Sequence, residues 1–518
     1  MEAIWITIAF VLGLVFRQFG LPPLVGYLVA GFALSGFELD GGEVLEHMAH
    51  LGVLLLLFAV GLKLRLRTIL QPEVWGTALL HLTISAVILG SVIYWLAGLS
   101  WQVTILVAVT LGFSSTVMAA KVLEQKRELR AFHGRVAIGV LVFQDLVAVA
   151  LLSVAVGTTP SPLALLVLGL PALRPLLNWL LEFSGHEELL ILFGLLLAIV
   201  VGGFGFEAVG LSAELGALLM GALLAEHRRA SELSHALWSI KEVLLIGFFL
   251  QIGMAGLPTL SAFGIALLFA LLLPLKAALF FFILVLFKLR ARSAFLTGLS
   301  LASYSEFALI VAALATKEGL LTHDWLVLLA VTIAVSFVIA APLNRAAHSL
   351  YERLEPRLSP LERHERHPDE QPLALGSAGI LIMGMGRVGT GAYDFLTERH
   401  ERVVGLDSDP DRVARHLKQG RRVLYADSED PFFWQHLNVS KLRGIMLAMP
   451  DPEAKKIAIT QLRRRGYDGL ISATVTFDDE VEPILAAGGS LTFNHYGEAG
   501  VGYAERVWES LYPETAPS

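Results

Sequence analysis

Three ionisable residues stand in stretches otherwise built from hydrocarbon side chains. Asp145 follows Gln144 in the run 140–149, Lys276 stands in the run 271–279, and Glu306 interrupts the run 303–309. Each of them costs at least about 2.5 kcal/mol to place in hydrocarbon, so each is a functional suspect by default. Asp145 has no basic neighbour in sequence. A carboxyl group kept from water has its charged form disfavoured, and either a proton or a cation can neutralise it. One such acid serves two competing substrates, which is the least chemistry an ion exchange requires and involves no covalent step. The plainer alternative is that Asp145 and Lys276 form an ion pair that only locks helices together.

Two polar interruptions accompany these charges. Ser114, Ser115 and Thr116 follow Gly112 in one apolar run, and the stretch from Ser300 to Glu306 breaks another, at corresponding places in the two halves of the apolar region. Paired interruptions point to inverted repeats with two discontinuous crossing helices whose half-helix ends meet at a binding site. Those ends carry partial charges, which an adjacent Asp or Lys can balance. The hydroxyls can instead bond to their own helix backbone.

A second constellation lies near the C-terminus. The apolar run 379–383 reads as a buried parallel strand and leads straight into Gly384, Met385, Gly386, Arg387, Val388 and Gly389. A helix-like segment follows, then a second strand, 403–407, that ends in Asp407, 18 residues after Gly389. Glycines at that spacing allow a tight turn and a close approach of phosphates to a helix N-terminus, while the acid can accept ribose hydroxyls. Ser408 and Asp409 continue that edge, and a third strand, 422–427, brings Asp427 and Ser428 to the adenine side of the same crevice. A fourth strand is read at 444–448. The ligand expected is an adenine nucleotide, AMP or NAD(H), because the fingerprint reports phosphate and ribose rather than nicotinamide.

The elements that must position these groups follow from composition. With 55% hydrophobic and 16% charged residues over 518 positions, the chain is too apolar for an ordinary soluble protein. From about Tyr351 onward, no run reaches the roughly 20 apolar residues of a spanning helix. Thirteen apolar stretches precede that point, near 3–19, 21–37, 44–62, 73–98, 101–123, 132–157, 162–181, 187–207, 210–226, 238–257, 260–287, 293–316 and 324–347. Basic residues cluster at Lys63/Arg65/Arg67, from Lys121 to Arg135, at Arg228/Arg229 and at Lys288/Arg290/Arg292, whereas the loops at 38–43, 98–100, 157–161 and 208–210 have none. The positive-inside rule makes those clusters cytoplasmic. Keeping Arg135 and Arg228 on one side requires the weak stretch 162–181 to span, and the same parity requires 238–257. The expected fold is therefore a polytopic α-helical membrane protein of 13 transmembrane helices with a C-terminal Rossmann-like α/β domain. Its parts are a transmembrane exchanger domain over 1–350, a charged linker over 351–375 and a nucleotide-binding domain over 376–518. The expected setting is the inner (plasma) membrane, with the N-terminus outside and the C-terminal domain cytoplasmic.

The first 16 residues carry no basic region ahead of their apolar stretch, so they read as a span rather than a cleaved signal. The absence of cysteine removes disulfides and thiolate metal sites. A net charge of −7 gives no reason to invoke nucleic acid.

The stretches 22–31, 52–62, Gly134-Arg135 leading to Phe143-Gln144-Asp145, and 210–226 resemble the Kef-type branch of the cation:proton antiporter-2 family, over nearly the whole chain. That resemblance implies an ion site at Gln144 and Asp145, where a Gln-Asp pair goes with electroneutral potassium/proton exchange. It also implies a homodimer whose core moves past a fixed dimerisation domain. The C-terminal part is similar to RCK, or TrkA-N, domains, which regulate potassium movement across membranes and dimerise through a last helix, here near 498–511. In two places the chain departs from the family: Lys63 stands where an acid is usual, and Ser303-Tyr304-Ser305 replaces the usual Gln-Gly-Gly. Glutathione gates Kef systems through an acidic loop and the soluble domain, sometimes with an ancillary regulatory subunit; here the loop 226–235 is mixed in charge. Potassium and sodium both remain open as the exchanged cation. A nucleotide-gated channel lacks support because the chain has no Thr-Val-Gly-Tyr-Gly filter. A tethered oxidoreductase fails to explain charges inside thirteen spans.

Overall fold

The computed structural model describes residues 2–37, 41–64, 66–126, 128–129, 131–155, 169–365, 367–370, 375–426, 433–434 and 437–512. Apart from the short stretch 130–132, these fall into two compact units that divide between Arg366 and His367.

The first unit is helical. It opens with α1 (Glu2–Gln18), α2 (Pro23–Gly36), α3 (Gly42–Leu62), the single turn α4 (Leu66–Ile69) and α5 (Pro72–Ala97). Prolines at the first turns of α2 and α5 cost nothing there, since those N–H groups have no helical partner. Then come α6 (Trp101–Gly112), α7 (Thr116–Gln125), α8 (Phe132–Ala155), α9 (Arg174–Phe183) and α10 (Glu188–Leu195), which a π-helical stretch (Leu196–Phe204) carries into α11 (Gly205–Glu207). The rest are α12 (Ala213–Leu224), α13 (Ala230–Met254), α14 (Leu260–Ala270), α15 (Leu273–Leu286), α16 (Ala291–Ser300), α17 (Phe307–Lys317), α18 (His323–Arg345) and α19 (Ala347–Leu358). Among the described residues, seven helices are long and apolar enough to cross a membrane, and five shorter apolar helices of 10–17 residues accompany them. Part of the stretch expected to span at 162–181 lies outside the described residues; its described part is a 3-10 segment over 169–173 and α9.

Small residues let the helices meet at their backbones. A Cβ on Gly61 would lie 2.2 Å from the Leu218 carbonyl oxygen, and one on Gly221 would lie 2.2 Å from that of Phe58, so α3 and α12 touch main chain to main chain. The core runs through α3, where Leu54, Leu55, Leu57 and Phe58 are at most 1% exposed.

Besides the two runs with polar interruptions, a third expected span is not one regular helix. The run 260–287 breaks between α14 and α15 at Leu271–Leu272. Pro274 in the first turn of α15 lacks an N–H, and its ring clashes with the preceding turn, which ends α14. The stretch read as a linker from 351 is helical at its start, in α19, and continues through 3-10 turns at Ser359–Leu361 and Pro368–Glu370.

The second unit is a six-stranded parallel sheet in the order β3-β2-β1-β4-β5-β6. Its strands are β1 (Ile380–Met383), β2 (Val403–Asp407), β3 (Val423–Tyr425), β4 (Gly444–Leu447), β5 (Leu470–Val475) and β6 (Leu491–Asn494); the last two extend the sheet past the four read from sequence. Ile380 pairs with Val403 on one side and Gly444 on the other. The helices are α20 (Arg387–Glu398), α21 (Pro410–Lys418), α22 (Pro452–Arg464), α23 (Val481–Ala486) and α24 (His495–Leu511). The strand order reverses between β1 and β4, which opens a crevice at the carboxyl ends of the strands, where doubly wound sheets bind ligands. Asp427 and Ser428 lie outside the described residues.

Candidate functional site

Both interruptions read from sequence are breaks in the helices. After Gly112 the backbone extends at Phe113, and Ser115 caps α7 by accepting from the Met118 N–H at 3.1 Å. After Ser300 the chain leaves helical geometry until Phe307. The two breaks lie against each other, joined by an antiparallel bridge between Ser114 and Tyr304.

Each predicted ion-site residue reaches this junction. The Ser114 N–H donates to Gln144 Oε1 at 2.9 Å, Ser115 Oγ donates to Glu306 Oε2 at 2.7 Å, and Thr116 Oγ1 reaches Asp145 Oδ2 at 3.2 Å. From α15, Lys276 Nζ donates to the Phe113 carbonyl at 2.6 Å and the Ser303 carbonyl at 3.2 Å, and lies 4.9 Å from the centre of the Tyr304 ring. The Lys276 ammonium therefore neutralises the carbonyl ends of the two breaks, and Asp145 is bonded to a hydroxyl instead of to a cation. Gln144, Asp145 and Glu306 are at most 2% exposed.

Four side-chain atoms buried at this junction have no hydrogen-bond partner among the described residues: Ser114 Oγ, Gln144 Nε2, Ser303 Oγ and Glu306 Oε1. An unpaired buried polar atom costs about 1–3 kcal/mol, a cost that a species supplying bonds at the junction would recover. Hard monovalent cations take oxygen ligands, and three of these four atoms are oxygens. Ser336 is not among the residues read from sequence, and Tyr304 enters there only as part of the departure from the family. The Tyr304 hydroxyl donates to the Phe269 carbonyl at 2.7 Å, and its N–H donates to Ser336 Oγ at 3.2 Å. Their only signal was a serine inside the apolar α18 and the tyrosine of the Ser-Tyr-Ser departure.

In the second unit the glycine loop has the expected form. Gly384 has φ +95°, and a Cβ there would lie 2.6 Å from the Met449 nitrogen; a Cβ on Gly389 would lie 1.9 Å from the Gly384 carbonyl oxygen. A Cβ on Gly386 meets nothing within 4 Å, so the space above the start of α20 is open. Arg387 and Val388 are exposed in the first turn of that helix. Asp407 is buried beneath the loop. Its Oδ2 accepts from the Met385 N–H at 2.8 Å and from Arg412 at 3.0 Å, and its Oδ1 accepts from the Asp409 N–H at 2.8 Å. This carboxylate therefore shapes the loop, and Oδ1 keeps one lone pair for a ribose hydroxyl. The open glycine turn, the uncapped helix start and that lone pair fit the phosphate and sugar of a nucleotide. Beside it, Asp394 is held below the usual carboxylate range by hydrogen bonds from Arg421.

Together, two breaks with buried ionisable groups in a helical membrane unit and a C-terminal doubly wound domain define a secondary transporter with an attached regulatory domain. The transmembrane model of the sodium/hydrogen exchanger family matches residues 6–345, and the chain belongs to that family. A TrkA-N domain model matches residues 380–493. The chain is 31% identical over 475 residues to the glutathione-regulated potassium-efflux system protein KefC of Cronobacter sakazakii, covering 86% of this chain and 74% of that relative. It is 29% identical over 490 residues to the KefC of Escherichia coli K12, covering 88% and 75%. It is a multi-pass cation/proton antiporter with a C-terminal TrkA-N domain.

Proposed function

We propose that the protein moves potassium out of the cell in exchange for protons, with Asp145 as the group that holds either ion in turn. Gln144, Ser114, Ser115, Thr116 and Glu306 supply the surrounding polar atoms, and Lys276 holds the two breaks at the right separation. The reading includes thirteen crossings, two discontinuous helices that cross at the ion site, and a homodimer formed through both domains. It places the protein in the inner membrane with the C-terminal domain cytoplasmic. The observation that carries it is the convergence of the two breaks on Asp145 and Glu306, with orphaned oxygens between them. Potassium is preferred because the relatives are named as potassium-efflux proteins.

An adenine nucleotide, AMP or NAD(H), is the proposed regulatory ligand, held by Gly384 to Gly389 and bounded by Asp407, Ser408 and Asp409. Bound there, it supplies a charged group that favours one state of the TrkA-N domain over another.

Dequenching of a pH-sensitive dye in proteoliposomes, with potassium or sodium outside, tests the exchange. Wild-type protein should dissipate the gradient with potassium, and Asp145→Asn should abolish the response. Exchange that survives in Asp145→Asn rejects this site, and a response to sodium alone rejects the cation. Adding glutathione in a further arm tests whether the control named in the relatives applies here.

A further inference from the structure

The break between α14 and α15 does more than accommodate Pro274. Beyond it α14 packs on α18 while α15 packs on α5, and a wedge of space of about 780 Å³ opens among them, within the roughly 300–1,000 Å³ of small-molecule sites. The floor is formed by Leu111, Phe269, Lys276 and Tyr304, all at most 9% exposed. The walls are aliphatic and open: Ile88 and Val92 on α5, Leu268 on α14 and Leu275 on α15 are 46–57% exposed. Wall and floor together run from the middle of the helices to the end opposite Lys288 and Arg345. The 11 residues of α14 span about 16 Å at 1.5 Å each, roughly half the 30 Å hydrocarbon core. The wedge therefore has the length of one leaflet.

Its rim is polar. Thr259 and Ser261, with their hydroxyl oxygens 2.9 Å apart, stand at the start of α14, and Asp324 and Trp325 stand in the first turn of α18. Asp324 is exposed there. In a bilayer, apolar burial gives no preference between protein and lipid, so a wedge left empty loses dispersion contacts with nothing in return. A hydrocarbon chain restores those contacts, and the rim decides which headgroup accompanies it. A carboxylate beside two hydroxyls complements a headgroup with a cationic amine next to a phosphodiester.

We infer that this wedge is a lipid site: it takes one acyl chain of a phospholipid with a primary ammonium headgroup, the ammonium at Asp324 and the phosphodiester at Thr259 and Ser261. The chain end then rests on Tyr304, whose hydroxyl ties the break in α14–α15 to the break that follows Ser300, so the lipid buttresses the ion-site junction from its membrane side. This holds whether or not Asp145 carries the exchanged ion.

Native mass spectrometry tests the site on the full-length protein, released from discs of equal phosphatidylethanolamine and phosphatidylcholine. Wild type should retain phosphatidylethanolamine in preference to phosphatidylcholine. Leu268→Trp, which fills the wedge, should lower the retained lipid about ten-fold, as should Val92→Trp on the opposite wall. Leu267→Trp, on the same helix but outside the wedge, should retain lipid like wild type. Asp324→Asn should keep the chain but bring the headgroup ratio to that of the disc. Equal retention of both lipids by wild type, or an unchanged ratio in Asp324→Asn, overturns the headgroup assignment. Wild-type adducts in both wedge-filling variants, each confirmed folded by its melting temperature, overturn the site.

Discussion

An ammonium group placed in hydrocarbon must find acceptors, and Lys276 finds two that belong to neither a carboxylate nor its own helix. Its partners, the carbonyls of Phe113 and Ser303, lie 163 and 27 residues away in sequence. Lys276→Met keeps the length of the side chain and removes both bonds, at about 1–3 kcal/mol for each carbonyl left unpaired. The variant should melt several degrees lower in detergent and lose most potassium-driven proton movement. A melting temperature equal to that of wild type would show that the two carbonyls find other partners, and the positioning role would fall. The sequence made Lys276 conspicuous because one charge stood among leucines, but a carbonyl carries no residue identity, so its partners could not be read. The same limit hid Tyr304, whose hydroxyl bonds to the carbonyl of Phe269. Asp145 and Glu306 were legible for the opposite reason: a lone carboxyl in an apolar run is itself the signal.

Among the elements, the glycine loop separates packing from binding. Gly389→Ala drives a Cβ against the Gly384 carbonyl and should destabilise the β1–α20 turn by several kcal/mol, because main chain cannot yield as a side-chain tip does. Gly386→Ala meets open space and should leave the melting temperature within about 1 kcal/mol of wild type while it weakens AMP and NADH binding measured by calorimetry. Unchanged binding in Gly386→Ala would remove the nucleotide from that turn. The spacing of the fingerprint announced this turn, whereas β5 and β6 lay beyond any motif and were missed. A third element-scale effect concerns the loop between α7 and α8, where Glu128 accepts from His133 at 3.2 Å and from His348 of α19 at 2.5 Å. Burial alone would raise its carboxyl, but the two histidine bonds outweigh it and hold the group well below the usual carboxylate range. A lowered folded-state value stabilises the fold at and above the ordinary carboxylate value of about 4.3, and the stabilisation fades as pH falls below that. Wild type should thus melt above Glu128→Gln from neutral pH down through the ordinary carboxylate value, with the gap closing only in strong acid; a gap already lost at about pH 4.3 contradicts the arrangement. Sequence showed Glu128 among basic residues, and only the fold brings His348 to it.

For the molecule as a whole, composition alone separates an apolar part from a charged one; the parity of basic clusters predicts thirteen crossings, whereas seven helices of spanning length and five shorter apolar ones stand among the described residues. What sequence could not supply is how one half informs the other, because coupling is a difference between states and not a property of any segment. Thermodynamics nevertheless fixes what coupling must look like. If nucleotide on the TrkA-N domain changes the affinity of the ion site for potassium by some factor, potassium must change the affinity for nucleotide by the same factor, typically about 5–150-fold. The cheaper side to measure is the nucleotide. AMP and NADH should bind full-length wild type with different affinities in potassium and in choline, and the difference should vanish in Asp145→Asn, where the proposed potassium ligand is gone while the glycine loop is untouched. Ionic strength is matched between the two salts, so a shift that persists in Asp145→Asn would come from potassium acting elsewhere, and equal affinities in wild type would mean that nucleotide does not act through cation binding at all. Because Gly386→Ala disturbs only the nucleotide end, the same pair of salts should leave its residual affinity shifted by the wild-type factor, which distinguishes a weakened ligand from a severed connection.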